Sequence, residues 1–143
     1  MINLSPIGFV HNSVKENPAR DFKWENVISE IWLKEEYVPA LEGLEGFSHL
    51  LIIYYIDKQP RPVSLKVHPR GDQSLPQVGL FASRSPTRPN PLGLKLVSFI
   101  KREENILRVQ GLDALNGTAV LDIKPYLPGY DSVHGAKVPP WSY

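Results

Sequence analysis

The sequence predicts an all-β chain with minor helix, of the barrel or sandwich kind, and three observations carry that expectation. No segment keeps apolar residues at the helical spacing over several turns, the stripe that an amphipathic helix needs. Short β-branched and aromatic runs recur instead, separated by turn residues. Between two of these runs stands Asn116-Gly117, a dipeptide suited to a tight hairpin because both residues accept positive φ.

Taken in order, Val27 to Leu33 sets Val27, Ser29, Ile31 and Leu33 on one side and Ile28, Glu30 and Trp32 on the other, which predicts a strand with one partly wet face. Lys34 to Leu41 predicts a short helix that Pro39 limits to about two turns. Gly43 and Gly46 are spaced G-x-x-G and precede a strand, whereas a dinucleotide fingerprint needs strand, glycine loop and helix in that order, so a tight turn is expected there. Leu50 to Ile56 is apolar on both faces and reads as a buried strand. Val78 to Ala82, Leu92 to Ile100 and Ile106 to Gln110 are further strands, the last two joined by the polar run Lys101 to Asn105. Leu112 to Leu115 and Thr118 to Ile123 flank the Asn-Gly turn and are expected to pair across it. From about position 131 the chain is turn-rich and reads as an irregular tail anchored by Trp141.

With 143 residues and 42% hydrophobic content, one domain over 1–143 with a sizeable core is expected. The absence of cysteine excludes disulfide scaffolds and thiolate metal sites, and His11, His49, His68 and His134 form no ligand pair, so no metal is expected. The longest apolar runs fall short of the roughly 18 residues of a membrane span, and Met1 to Val10 shows no secretory pattern, which makes a cytoplasmic address the expectation. His49 reads as a hydrogen-bonded core or rim residue, and Ser83 and Ser85 lack the elbow of a serine nucleophile.

The net charge of +1 conceals segregation. Between positions 58 and 95 seven basic residues, Lys58, Arg61, Lys66, Arg70, Arg84, Arg88 and Lys95, face only Asp72, leaving the rest of the chain acidic. Seven of the 14 prolines lie in the same stretch, so the positive charge sits on stiff, irregular backbone. Such a loop suits an anionic partner, and a solvated surface loop is the alternative. Within it, Pro86, Pro89 and Pro91 hold Arg84, Arg88 and Asn90 on extended backbone. Preorganised guanidinium forks match carboxylate and phosphate. His68, in His-Pro-Arg-Gly-Asp, reads equally as a phosphate or base contact and as plain surface.

The stretch Arg84-Ser-Pro-Thr-Arg-Pro-Asn-Pro-Leu-Gly-Leu resembles the signature of the TsaA-like, or TrmO-like, family. Ile7-Gly-Phe-Val-His is similar to that family's first strand, Leu41-Glu-Gly-Leu-Glu-Gly-Phe-Ser-His-Leu to its next block, and Gly111-Leu-Asp-Ala-Leu-Asn-Gly-Thr and Leu121-Asp-Ile-Lys-Pro-Tyr-Leu-Pro to its later motifs. The resemblance implies a single small closed β-barrel without a Rossmann domain, commonly a homodimer. It implies an S-adenosylmethionine-dependent enzyme that methylates N6 of threonylcarbamoyladenosine beside the anticodon of tRNA. By resemblance the methyl donor is held by Pro18, Ala19 and Arg20, by Asp57 and Lys58, by Arg88 and Leu94 of the arginine segment, and by Asp122, Ile123, Lys124 and Pro125. Arg84, Arg88 and Asn90 are expected to position donor and acceptor, and Lys58, Arg61, Lys66, His68 and Arg70 to meet RNA. A binding module for the donor or for RNA without catalysis, and a small-molecule methyltransferase, use the same features and remain open.

Overall fold

The computed structural model describes residues 1–142, and its strands are β1 (Gly8–His11), β2 (Ile28–Leu33), β3 (His49–Tyr55), β4 (Lys66–Val67), β5 (Val78–Gly79), β6 (Leu92–Glu103), β7 (Ile106–Gln110) and β8 (Ala119–Pro125). One short helix, α1 (Pro128–Asp131), follows the last strand. Six strands close into a barrel in the order β1-β2-β7-β6-β3-β8, every pair antiparallel, while β4 and β5 form a separate two-stranded ribbon.

The period-two pattern of β2 does what its residues predict: Ser29, Ile31 and Leu33 are buried, Ile28 and Trp32 exposed. Val10, Leu50, Ile52, Val97, Leu107, Val109 and Val120 complete the interior from the other strands. The one buried hydroxyl of this layer, Ser29 Oγ, accepts a hydrogen bond from Asn12 Nδ2 at 2.9 Å. No buried side-chain nitrogen or oxygen among the described residues lacks a partner.

One local expectation is made more specific and three are corrected. The stretch Lys34 to Leu41 is a 3₁₀ helix over Glu35–Leu41, with Pro39 inside it. β3 is not buried on both faces: Leu50, Ile52 and Tyr54 point inward, while Leu51 and Ile53 are half-buried on the barrel's outer face. Val78 to Ala82 pairs only at Val78–Gly79 and then turns into a 3₁₀ segment that buries Leu80. Most consequentially, Leu112 to Leu115 is no strand. The Asn116-Gly117 turn forms, with Gly117 at φ 89°, but β8 leaves it to pair with β1 and β3, and Gly117 N–H donates to the Val10 carbonyl at 2.7 Å. Leu112 and Ala114 are buried in the core cluster as inward-pointing residues of a loop whose other side faces outward.

Candidate functional site: a cationic cleft beside a second basic cavity

Beside the barrel lies a cleft of about 1130 Å³, walled by the early loop at 15–20, the end of β3 and its following loop, the arginine loop, the start of β6, and residues 113–118. Backbone register builds its floor. Tyr54 pairs directly with Gly93, and a Cβ on Gly93 would lie 2.3 Å from Tyr54 Cζ, so only glycine lets the ring lie flat across β6. The phenol, thus directed, donates to Asp113 Oδ1 at 2.5 Å and ties the 113–118 loop to the barrel. Burial, reinforced by the Asp113 carboxylate and partly opposed by Arg84, pushes the Tyr54 phenol well above its usual range, so it is a neutral donor rather than a base.

The arginine loop is braced from within. Arg88 Nη1 donates to the Ser83 carbonyl at 2.9 Å and the Ser85 carbonyl at 3.1 Å, and its guanidinium lies 5.8 Å from the centre of the exposed Phe81 ring. Thr87 Oγ1 donates to Gln59 Oε1 at 2.9 Å, which joins this loop to the one after β3. Arg84 is exposed and reaches the Leu94 carbonyl with Nη2 at 3.5 Å. Lys58 holds left-handed backbone at φ 60° and donates its N–H to Asp57 Oδ1 at 2.8 Å.

The cleft therefore gathers Pro18, Ala19, Arg20, Asp57, Lys58, Arg84, Arg88 and Leu94, each expected at a site from the sequence. Lys15, Glu16, Lys95, Trp24, Tyr54 and the 113–118 loop also line it and were not expected. The sequence signal for the last was present in Asp113-Ala-Leu-Asn-Gly-Thr but pointed to a hairpin. Asn90 is exposed and lines neither this cleft nor the second cavity; its carbonyl accepts the Leu92 N–H at 2.7 Å. Asp122 to Pro125 also stay outside the cleft. Asp122 and Lys124 share the outer face of β8 and pair with each other at 2.9 Å, since Asp122 lies opposite the outward Ile53. That pairing raises the Lys124 ammonium above its ordinary value.

A second cavity of about 650 Å³ adjoins the cleft, and Arg20, Arg84, Ser85 and Pro86 belong to both. Lys66, His68 and Arg70 line it, and no aspartate or glutamate does. Arg61 lines neither. His68 Nδ1 lies 3.0 Å from the Leu75 carbonyl oxygen, so that nitrogen carries the ring proton. Arg20 packs over Gly71, where a Cβ would meet Nη2 at 2.9 Å. No cluster of three or more metal-ligating side chains occurs among the described residues, and no helix there is long and apolar enough to cross a membrane.

The comparisons agree with this architecture. The chain is 43% identical over 135 residues to a probable S-adenosyl-L-methionine-binding protein of Methanothermobacter thermautotrophicus, covering 92% of this chain and 95% of that one. It is 40% identical over 101 residues to the human tRNA (adenine(37)-N6)-methyltransferase, covering 70% of this chain but 23% of the human protein. A crystal structure of TrmO superposes with a TM-score of 0.77 at 31% identity, over 98% of this chain and 66% of the TrmO chain. The profile of the tRNA-methyltransferase O N-terminal domain matches residues 7–132, and the chain belongs to that family.

Proposed function

We propose that this chain, as one TsaA-like domain, is an S-adenosylmethionine-dependent methyltransferase that acts on N6 of adenosine 37 in tRNA, with threonylcarbamoyladenosine as the acceptor nucleoside. The observation that carries the reading is the convergence of the early loop, the end of β3 and the arginine loop on one cleft. Its residues fit the donor's chemistry. Arg20, Lys58 and Arg84 suit a carboxylate; Asp57 and Asp113 suit an amino group or ribose hydroxyls; Trp24, Leu92 and Leu94 offer apolar surface to an adenine.

The donor supplies an activated methyl group on a sulfonium whose leaving group departs neutral. The chain's own part is placement. Arg88 Nη1 fixes the loop that carries Arg84, Tyr54 fixes the opposite wall, and alignment of reacting groups can supply up to roughly 7–11 kcal/mol. Arg84 and Arg88 belong to the positioning of donor and acceptor; Asn90, outside both cavities, stands as a positioning residue, and Asp122 to Pro125 as further donor contacts, only by resemblance. Lys58, Arg61, Lys66 and His68 are the proposed RNA contacts; the continuity of the two basic cavities supports Lys58, Lys66 and His68, which line them, while Arg61 lies outside both and stands on its charge alone. A homodimer in the cytoplasm completes the proposal; Tyr55 and Leu96, exposed on the outer face of the β3–β6 pair and outside the cleft, are apolar residues that a second copy would cover.

The test is incubation of the purified chain with methyl-labelled donor and tRNA bearing threonylcarbamoyladenosine, followed by nucleoside mass spectrometry. Label on N6 is expected. Donor that binds in calorimetry but transfers nothing to tRNA would overturn the enzyme in favour of a binding module, and a single-chain mass by light scattering would overturn the dimer.

A further inference from the structure

Residues 132–142 run without regular structure, yet their end is held in place. Arg70 Nη1 donates to the Ser142 carbonyl at 2.7 Å and Nη2 to the Trp141 carbonyl at 3.1 Å. Arg70 itself occupies left-handed backbone at φ 56°, in the turn Pro69–Gly71, which aims its side chain at the tail. Trp141, so held, is half-buried and forms a wall of the second cavity. The remaining walls carry Arg20, Lys66, His68 and Arg84, and among the described residues no aspartate or glutamate lines the cavity.

We infer that this cavity takes one unpaired nucleotide of the RNA, its base stacked on the Trp141 indole and its phosphate drawn by Lys66 and Arg84, with Arg70 acting as the clamp that builds the site rather than as a phosphate ligand. The inference rests on the proposed RNA substrate and names a subsite for it. An aromatic plane with cations around it is the arrangement that holds single-stranded nucleic acid without reading its sequence. Because Arg20 and Arg84 border both cavities, the stacked nucleotide lies next to the donor cleft, where it registers the acceptor strand.

The probe is a fluorescein-labelled RNA hairpin with an unpaired loop, measured by anisotropy against the full chain, with a loopless duplex of the same length as control. Trp141→Ala weakens hairpin binding about tenfold, Trp141→Phe retains most of it, and duplex binding and donor binding stay unchanged. Arg70→Ala matches Trp141→Ala, the double variant is no weaker than either single one, and the slope of log affinity against log salt does not move. Lys66→Ala, by contrast, lowers that slope by about one. Additive losses with a slope lowered by about one in Arg70→Ala would overturn the clamp, and undiminished hairpin binding by Trp141→Ala would overturn the stacking. If the unaltered chain bound no RNA, the proposed substrate itself would fall, and the subsite with it.

Discussion

Replacing Gly93 with Ala tests the floor of the cleft directly. The new Cβ would lie 2.3, 2.5 and 2.7 Å from three Tyr54 ring carbons, against about 3.5–4.0 Å for carbon atoms in contact. The ring must therefore retreat by about 1 Å or more, from a site where Tyr54 is only 5% exposed. Overpacking of this kind costs about 1–3 kcal/mol. The displaced phenol also loses Asp113; because that aspartate is exposed and regains water, about 1 kcal/mol is the fair charge for the bond. The sum, about 2–4 kcal/mol, lowers Tm by roughly 7–13 °C for a chain of this size. Scanning calorimetry gives the first number, and donor titration gives a second, since the freed 113–118 loop should weaken donor binding. In a Tyr54→Ala background the same Gly93→Ala change should cost under about 1 kcal/mol, because its clash partner is gone. A Gly93→Ala chain that melts with the wild type, or a cost that survives loss of the ring, would refute the reasoning.

Tyr54→Phe should change stability with pH in a defined window. The folded chain keeps a phenol proton that the unfolded chain releases above the ordinary value of 10.0, so this contribution is present below that pH and fades above it. Wild type should lose stability faster than Tyr54→Phe as pH rises above about 10, and parallel denaturation curves there would contradict it. Arg88→Ala should cut methyl transfer at least about tenfold with little change in Tm, because the arginine loop loses the two bonds that Nη1 gives to the Ser83 and Ser85 carbonyls; full turnover by the alanine variant would show that this brace plays no part in placing the donor. RNA affinity should fall linearly in log salt, and Lys58→Ala should lower the slope by about one; a slope unaffected by Lys58 would remove it from the RNA face.

What the sequence made legible followed how local each determinant is. β2 is written in its own alternation, and the β6–β7 hairpin in two apolar runs around a polar turn, although β6 extends to Glu103 and the turn tightens to Glu104 and Asn105. The arginine loop was legible because proline restricts backbone whatever surrounds it. Partner choice was not. Asn116-Gly117 signals a turn but not which strands it joins, and here β8 pairs with β1, more than a hundred residues earlier, while Leu112 and Ala114 turn inward. The two-residue strands β4 and β5 are too short to carry a periodicity. Likewise Asp122 carries the right chemistry for a donor contact, yet its alternation with Ile123 sets it on the outer face, a fact that depends on the bulge between Ile53 and Tyr54.

The left-handed backbone at Lys58 has an implication for anyone who wants a hardier version of this protein. The position favours glycine or asparagine on conformational grounds, by about 1 kcal/mol, and its backbone bond to Asp57 would survive either change, so a stability screen blind to ligands would select the replacement early. It would discard a cation of the basic cleft, so heat resistance and RNA handling should part company at this residue.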